Sequence, residues 1–326
     1  ILTSWSPPAW MKGNLSLNYM MAGVENYSDA TDNKLEYHYY DEFAEMVVAF
    51  CKVFKEEMGI ELTGFGMQNE PAFHEPYASA ILDPAHFVKL IKVVYPKLQA
   101  EGLHTKLFMP EQAFGQTNNS MAAYIDALQA DPEANTMCSV IATHGYANDG
   151  IAAGTPNFTQ WTTMWNNAQE GNYPKELWMT ETTKIYANYD DAMYWANSIL
   201  GSLEYGNVSH WTSWTFEDQL FDEKSNKPTS MFYATKNFSK YIRPGAKRVK
   251  SSVNGTSTII STTFKNEIAD GGNLVSVLIN NATTPATVKM AGTGLAPQFE
   301  VYQTTAADNF VHKGTVSKND IVLLPA

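Results

Sequence analysis

The chain has 326 residues, of which 44% are hydrophobic and 13% aromatic, enough to bury a large core and to exclude a disordered protein. A formal net charge of −12 at pH 7 excludes nucleic acid and anionic membranes as partners, because phosphates would be repelled, and it favours a neutral ligand. Arg243 and Arg248 are the only arginines, so no guanidinium precedes them to clamp a carboxylate or phosphate.

Short apolar runs alternate with longer segments of helical period, the pattern of βα units that build a parallel sheet. In chain order the expected strands are 1–4, 62–68, 106–110, 140–144, 177–181 and 209–214. The expected helices are 35–58, 84–100, 120–130, 159–170, 190–205 and 230–241. In the first helix Phe43, Met46, Val47, Phe50, Val53 and Phe54 form an apolar stripe. Asp83 before Pro84 is a capping signal, and the segment from Asn188 to Asp191 opens a later helix with acidic residues at its positive end.

From Gly245 onward the texture becomes Thr/Val/Ile/Ser runs broken by Asn254-Gly255 and Asp270-Gly271-Gly272, which read as antiparallel strands of a small β-sandwich. The expected domains are therefore a barrel over 1–243 and a side domain over 244–326. Cys51 and Cys138 are the only cysteines and form no metal or redox spacing. No apolar run reaches membrane-spanning length, and the first residues do not read as a signal peptide.

The strongest chemical signal is Gly66-Met67-Gln68-Asn69-Glu70-Pro71 at a strand end, where a β/α barrel collects its catalytic groups. Glu70 stands where a general acid belongs, and such an acid needs a raised pKa. Asn69 can hydrogen-bond a sugar hydroxyl beside the scissile bond. The competing reading is a plain turn with Glu70 exposed. A second apolar strand ends in a glutamate at Leu177-Trp178-Met179-Thr180-Glu181. Double displacement requires two such carboxylates, about 5–5.5 Å apart in retaining enzymes.

These residues carry a resemblance to glycoside hydrolase family 30. Ser4-Trp5-Ser6-Pro7-Pro8-Ala9-Trp10-Met11-Lys12 resembles the family's third-strand motif, Gln68-Asn69-Glu70-Pro71 its fourth-strand acid/base motif, and Trp178-Met179-Thr180-Glu181 its seventh-strand nucleophile motif. Tyr241-Ile242-Arg243-Pro244-Gly245-Ala246 is similar to its passage from last helix to sandwich. The resemblance implies a (β/α)8 TIM barrel with a β-sandwich side domain, working without metal or cofactor. It also implies that the first two barrel strands and the sandwich's amino-terminal strand are missing, which accounts for six units in place of eight.

Further candidates follow from position. His144 and Tyr146 end the strand before the nucleophile strand, where either can hold Glu181 ionised; a core histidine bonded to backbone is the alternative for His144. Glu111 is a third strand-end carboxylate, suited to a sugar hydroxyl or to anchoring a loop. Sugar faces stack on aromatic rings, and Trp5, Trp10, Phe73, Tyr77, Trp211 and Trp214 are candidates, Trp5 and Trp214 foremost. Trp161, Trp165 and Trp195 fall at helical spacing and read as core.

The resemblance allows endo-xylanase, β-1,6-glucanase, β-1,6-galactanase and glucosylceramidase activities. Family xylanases that require a glucuronate branch use an arginine after the last barrel strand. Residues 214–223 contain no arginine and four acidic residues, which would repel a glucuronate. The expectation is a secreted, monomeric endo-β-1,4-xylanase independent of glucuronate branches; the runner-up is a β-1,6-glucanase or galactanase, and the last reading is a carbohydrate-binding barrel without catalysis.

Overall fold

The computed structural model describes residues 1–19, 32–113, 121–146, 151–152, 155–156, 158–183 and 188–325. Its contacts divide the chain into two units. Unit 1 comprises Ile1–Asn148, Thr163–Glu181 and Val208–Thr212, and unit 2 comprises Asp149–Thr162, Thr182–Asn207 and Ser213–Ala326.

Unit 1 holds a six-stranded sheet, β1 (Leu2–Thr3), β2 (Gly64–Gly66), β3 (Lys106–Ala113), β4 (Cys138–His144), β5 (Glu176–Glu181) and β6 (His210–Trp211). Every pairing is parallel and the spatial order equals the chain order. A doubly wound sheet reverses its order at a switch point; this one does not, which is the arrangement of an arc of β/α barrel. Strand bounds differ from expectation at several ends. The segments 62–68 and 209–214 contract to three and two residues, while β3 continues through Glu111 to Ala113.

Helices α1 (Tyr40–Met58), α2 (Pro84–Ala100), α3 (Met121–Ala130) and α4 (Pro132–Met137) also lie in unit 1, and α5 (Thr159–Gln169) precedes β5. Residue 120, the expected start of α3, lies outside the described residues. Asp83 caps α2 by accepting from the His86 N–H at 3.1 Å. Asp131 does the same for α4 through Ala134 N–H at 3.0 Å. That Asp-Pro start defines a helix the hydrophobic period did not reveal, because six residues are too few to show one. The buried face of α1 is Tyr40, Phe43, Ala44, Val47 and Cys51, whereas Phe50 and Val53, expected in its stripe, are about half exposed.

Gly64 and Gly66 sit two apart on β2 and so share a face. A methyl group on Gly64 would press on Trp178 and Phe108, and one on Gly66 would collide with Glu111 and Phe108. Their missing side chains make room for the apolar cluster of Phe108, Val140, Ala142 and Trp178 under the strand ends.

Unit 2 contains α6 (Tyr189–Tyr205) and α7 (Ser230–Ser239), joined by a Trp195 Nε1–H bond to Thr235 Oγ1 of 2.8 Å. Asn188 caps α6 and Thr229 caps α7. The strands of this unit that follow α7 pair in antiparallel fashion. β7 (Lys247–Val249), β8 (Ile259–Lys265) and β9 (Leu274–Asn280) form one sheet; β10 (Ala286–Val288) pairs with β13 (Val322–Leu324), and β11 (Gln298–Gln303) with β12 (Val311–Ser317). Asn254-Gly255 and Asp270-Gly271-Gly272 both fall in connections between antiparallel strands. These contact-defined units do not follow the 243/244 division, since α6 and α7 group with the strands after them. No helix among the described residues is long and apolar enough to cross a membrane.

Candidate active site

The ends of β1 to β5 bring the expected chemistry together within unit 1. The Ser4 N–H donates to Gly66 O at 2.9 Å and the Asn69 N–H to Ser4 O at 2.8 Å. Gln68 Nε2 donates to Trp5 O at 2.9 Å, so the two motif segments are sewn side by side. Glu70 then turns with φ +39°, its N–H on Glu111 O at 3.3 Å. Glu111 and Tyr146 likewise adopt positive φ, 62° and 56°. Non-glycine residues enter this region at a cost, and such strain collects where side chains must be aimed for function.

His144 and Glu181 are register partners on β4 and β5, reached across a register shift after Thr143. Irregularities of this kind re-aim side chains beside active sites. His144 is fully buried. Its Nδ1 lies 2.9 Å from Glu70 Oε1 and 3.6 Å from Glu181 Oε1. The Tyr146 hydroxyl donates to Glu181 Oε1. Of the two expected partners of Glu181, the tyrosine therefore makes its hydrogen bond, and the histidine stands between both glutamates.

Burial and charge set the protonation states. Burial raises the Glu181 carboxyl above its usual range, opposed by the nearby His144 and the Tyr146 hydrogen bond. Burial by itself lowers His144, but the Glu70 hydrogen bond and the fields of Glu181, Glu111 and Glu70 outweigh it and the net shift is upward. Glu111 is pushed up to about 8, chiefly by burial, and accepts a hydrogen bond from Thr3 Oγ1 at 3.1 Å. It is buried beneath the site and presses against Gly66. Glu75, which sequence reasoning missed, is pushed up to about 8 by burial and then by Glu70 and Glu181. Asn69 Nδ2 donates to Glu75 Oε1 at 3.4 Å. Glu75 lies in a loop without periodicity, and only the fold turns it back toward Glu70.

The aromatic candidates separate. Trp5 packs its ring 5.6 Å from Tyr77, itself about half exposed. Trp10 is 54% exposed in a 3-10 turn, edge-on to Tyr39 at 5.2 Å. Trp214 belongs to unit 2, where its N–H donates to Thr182 O at 2.8 Å. Trp161 and Trp195 are buried in helices, and Trp178 is buried 5.5 Å from Phe108.

Glu70, His144 and Glu181 offer one ligand atom each, all within 4.8 Å of one another. Such a set has the donors for a divalent cation. A cavity of about 540 Å³ in unit 2 is lined by residues such as Met193, Phe238, Leu278 and Val301 and by none of Glu70, His144 and Glu181.

No family model matches the chain. It is 22% identical over 287 residues to a glucuronoxylanase, XynC, of Bacillus subtilis, covering 86% of this chain and 60% of that protein. The chain spans 56% to 66% of the curated relatives it matches. Among solved structures, a family 30 endoxylanase from Clostridium papyrosolvens matches with TM-score 0.79 at 22% identity, over 100% of this chain and 76% of that one. An endo-β1,6-glucanase, BT3312, matches with TM-score 0.69 at 21% identity, over 87% and 65%. The fold is that of the solved family 30 endoxylanase structures, and the curated relatives at 22% to 25% identity are named glucuronoxylanase and putative glucosylceramidase.

Proposed function

We propose that the chain is the catalytic part of a retaining glycoside hydrolase, with Glu181 as nucleophile and Glu70 as acid/base. One observation carries this: carboxylate oxygens of Glu70, on the segment after β2, and Glu181, at the end of β5, lie within 4.8 Å of each other. Retaining enzymes hold their carboxyl groups about 5–5.5 Å apart, whereas inverting enzymes need about 6.5–9.5 Å to admit a water. In this reading Glu181 attacks the anomeric carbon and forms a glycosyl ester while Glu70 protonates the leaving oxygen. Glu70 then takes a proton from the water that cleaves the ester. Tyr146 and His144 stabilise the carboxylate form of Glu181, and Asn69 meets a sugar hydroxyl.

The substrate reading is an endo-β-1,4-xylanase that does not need glucuronate branches. Relatives named glucuronoxylanase and endoxylanase support the xylan backbone. Residues 214–223 contain Glu217, Asp218, Asp222 and Glu223 and no arginine, and Arg248 is already paired with Glu204 at 3.1 Å, which argues against glucuronate recognition. The likeness to an endo-β1,6-glucanase favours β-1,6-glucan as the second reading. The rest of the reading is a (β/α)8 barrel through residue 243, a β-sandwich side domain from 244, secretion and a monomer.

A product profile on glucuronoxylan, arabinoxylan and β-1,6-glucan tests it. A ladder from arabinoxylan supports the lead, a ladder from β-1,6-glucan alone replaces it, and binding without products favours a non-catalytic barrel. Glu181→Gln abolishes turnover and spares binding. Glu70→Ala slows substrates with poor leaving groups far more than activated aryl glycosides.

A further inference from the structure

Glu75 is a carboxyl that the two-glutamate chemistry does not use. It is 1% exposed in the loop that follows Glu70. The groups whose charge or dipole acts on it are Glu70, Glu181 and the Tyr77 phenol, none of them a cation; its Oε1 accepts from Asn69 Nδ2 at 3.4 Å, and its buried Oε2 has no hydrogen-bond partner among the described residues. A carboxyl so placed escapes to water unless its loop is tied down.

The loop is tied down through Ser79. Ser79 Oγ accepts from the Glu75 N–H and donates to Glu75 O, both at 3.3 Å. The Ser79 N–H donates to Leu17 O at 3.0 Å, and Asn33 Nδ2 donates to Ser79 Oγ at 3.3 Å. Lys12 Nζ, itself 1% exposed, donates to Ser79 O at 2.6 Å, to Leu17 O at 2.9 Å and to Ser6 Oγ at 3.1 Å. An ammonium group buried among carbonyls anchors the backbone of the Glu75 loop, and it lies on the strand-end segment that carries Trp5 and Trp10.

We propose that Glu75 is a positioning residue for Glu70: held inside by the Lys12–Ser79 anchor, its carboxyl fixes the Asn69 amide and supports the Glu70 carboxylate formed when the leaving oxygen is protonated. This rests on the reading of Glu70 as proton donor. Glu75 keeps its own proton throughout, so the proton balance of the reaction is unchanged: Glu70 gives one to the leaving oxygen and recovers one from water. Burial and the adjacent Glu70 and Glu181 keep Glu75 neutral up to about pH 8. Ionisation of Glu75 above that pH adds a negative charge beside Glu70.

The test compares Glu75→Gln and Glu75→Ala with wild type in the whole chain, by two readouts. The first is an infrared difference titration of the protonated-carboxyl band. Glu75 and Glu111 are both pushed up to about 8 and Glu181 is raised as well, so Glu75→Gln is expected to remove one group's share of that signal. Adding Glu70→Gln to an otherwise wild-type chain moves the Glu75 part to lower pH. The second readout is kcat/KM against pH. Glu75→Ala is expected to lose at least ~10-fold on substrates with poor leaving groups, part of what a general acid supplies, and to lose less on activated aryl glycosides. Glu75→Gln, which keeps a donor and an acceptor, restores much of the loss and displaces the alkaline limb. An infrared band untouched by Glu75→Gln, or three superimposed pH profiles, overturns the proposal. A wild-type chain inactive on every polysaccharide counts against the hydrolase reading alone. The infrared arm still decides then: a Glu75 band that moves with Glu70→Gln supports the coupling, and an unmoved band overturns it.

Discussion

Replacing Tyr146 by Phe removes one hydroxyl from the site and leaves its ring in place. That hydroxyl donates to Glu181 Oε1, and Glu181 is a buried carboxyl with a side chain 10% exposed. A hydrogen bond to a charged group in such a setting contributes about 1.5–3 kcal/mol. Because it stabilises the ionised form, its loss raises the Glu181 carboxyl further, by about 1–2 pH units at 1.36 kcal/mol per unit. A nucleophile must be ionised, so the acid limb of kcat/KM moves up by the same amount. On that limb the rate falls by about 10- to 100-fold, and it recovers at higher pH. His144, 3.6 Å from the same oxygen, remains to limit the loss. Initial rates over pH, on whichever polysaccharide the product profile selects, measure the shift. A Tyr146→Phe profile that superimposes on wild type, or a loss equal at every pH, refutes the role given to the hydroxyl.

Gly66→Ala drives a methyl into Glu111 and Phe108; overpacking of this kind costs about 1–3 kcal/mol, read as a lower melting temperature together with reduced activity. Lys12→Met leaves Ser79 O without its buried donor and takes one of two donors from Leu17 O, with an expected loss of about 2 kcal/mol in denaturant unfolding. Stability falls as pH rises from about 4.5 to about 8, because Glu75 and Glu111 hold protons in the folded chain that the unfolded chain has released. Each group contributes a slope of up to about 1.4 kcal/mol per pH unit, and His144, also raised, acts in the same direction. Thermal unfolding of Glu111→Gln across this window shows a flatter dependence than wild type; an identical slope contradicts the placement of Glu111.

The βα alternation was legible because each strand is a short apolar run and most helices are long enough to show their period. Helix α2 illustrates this: Asp83-Pro84 starts it, and its buried positions Phe87, Leu90, Ile91, Val94 and Leu98 follow the helical repeat. Helix α4 had only its Asp131-Pro132 start to announce it. The stripe on α1 was misjudged at Phe50 and Val53, since periodicity selects a side of a helix but not how far the neighbouring elements extend along it.

Sequence by itself determined the order of units and the two strand-end glutamates, because both are encoded locally in an apolar run followed by an acid. Tertiary structure alone decided how the site is wired. Register between β4 and β5 puts His144 beside Glu181, yet its hydrogen bond goes to Glu70, 74 residues away in the chain. Glu75 becomes part of the site only because a loop held by Lys12 and Ser79 folds back over Glu70. Such pairings depend on which strands lie side by side and on which groups lose water together, and neither property is written in any local stretch of residues.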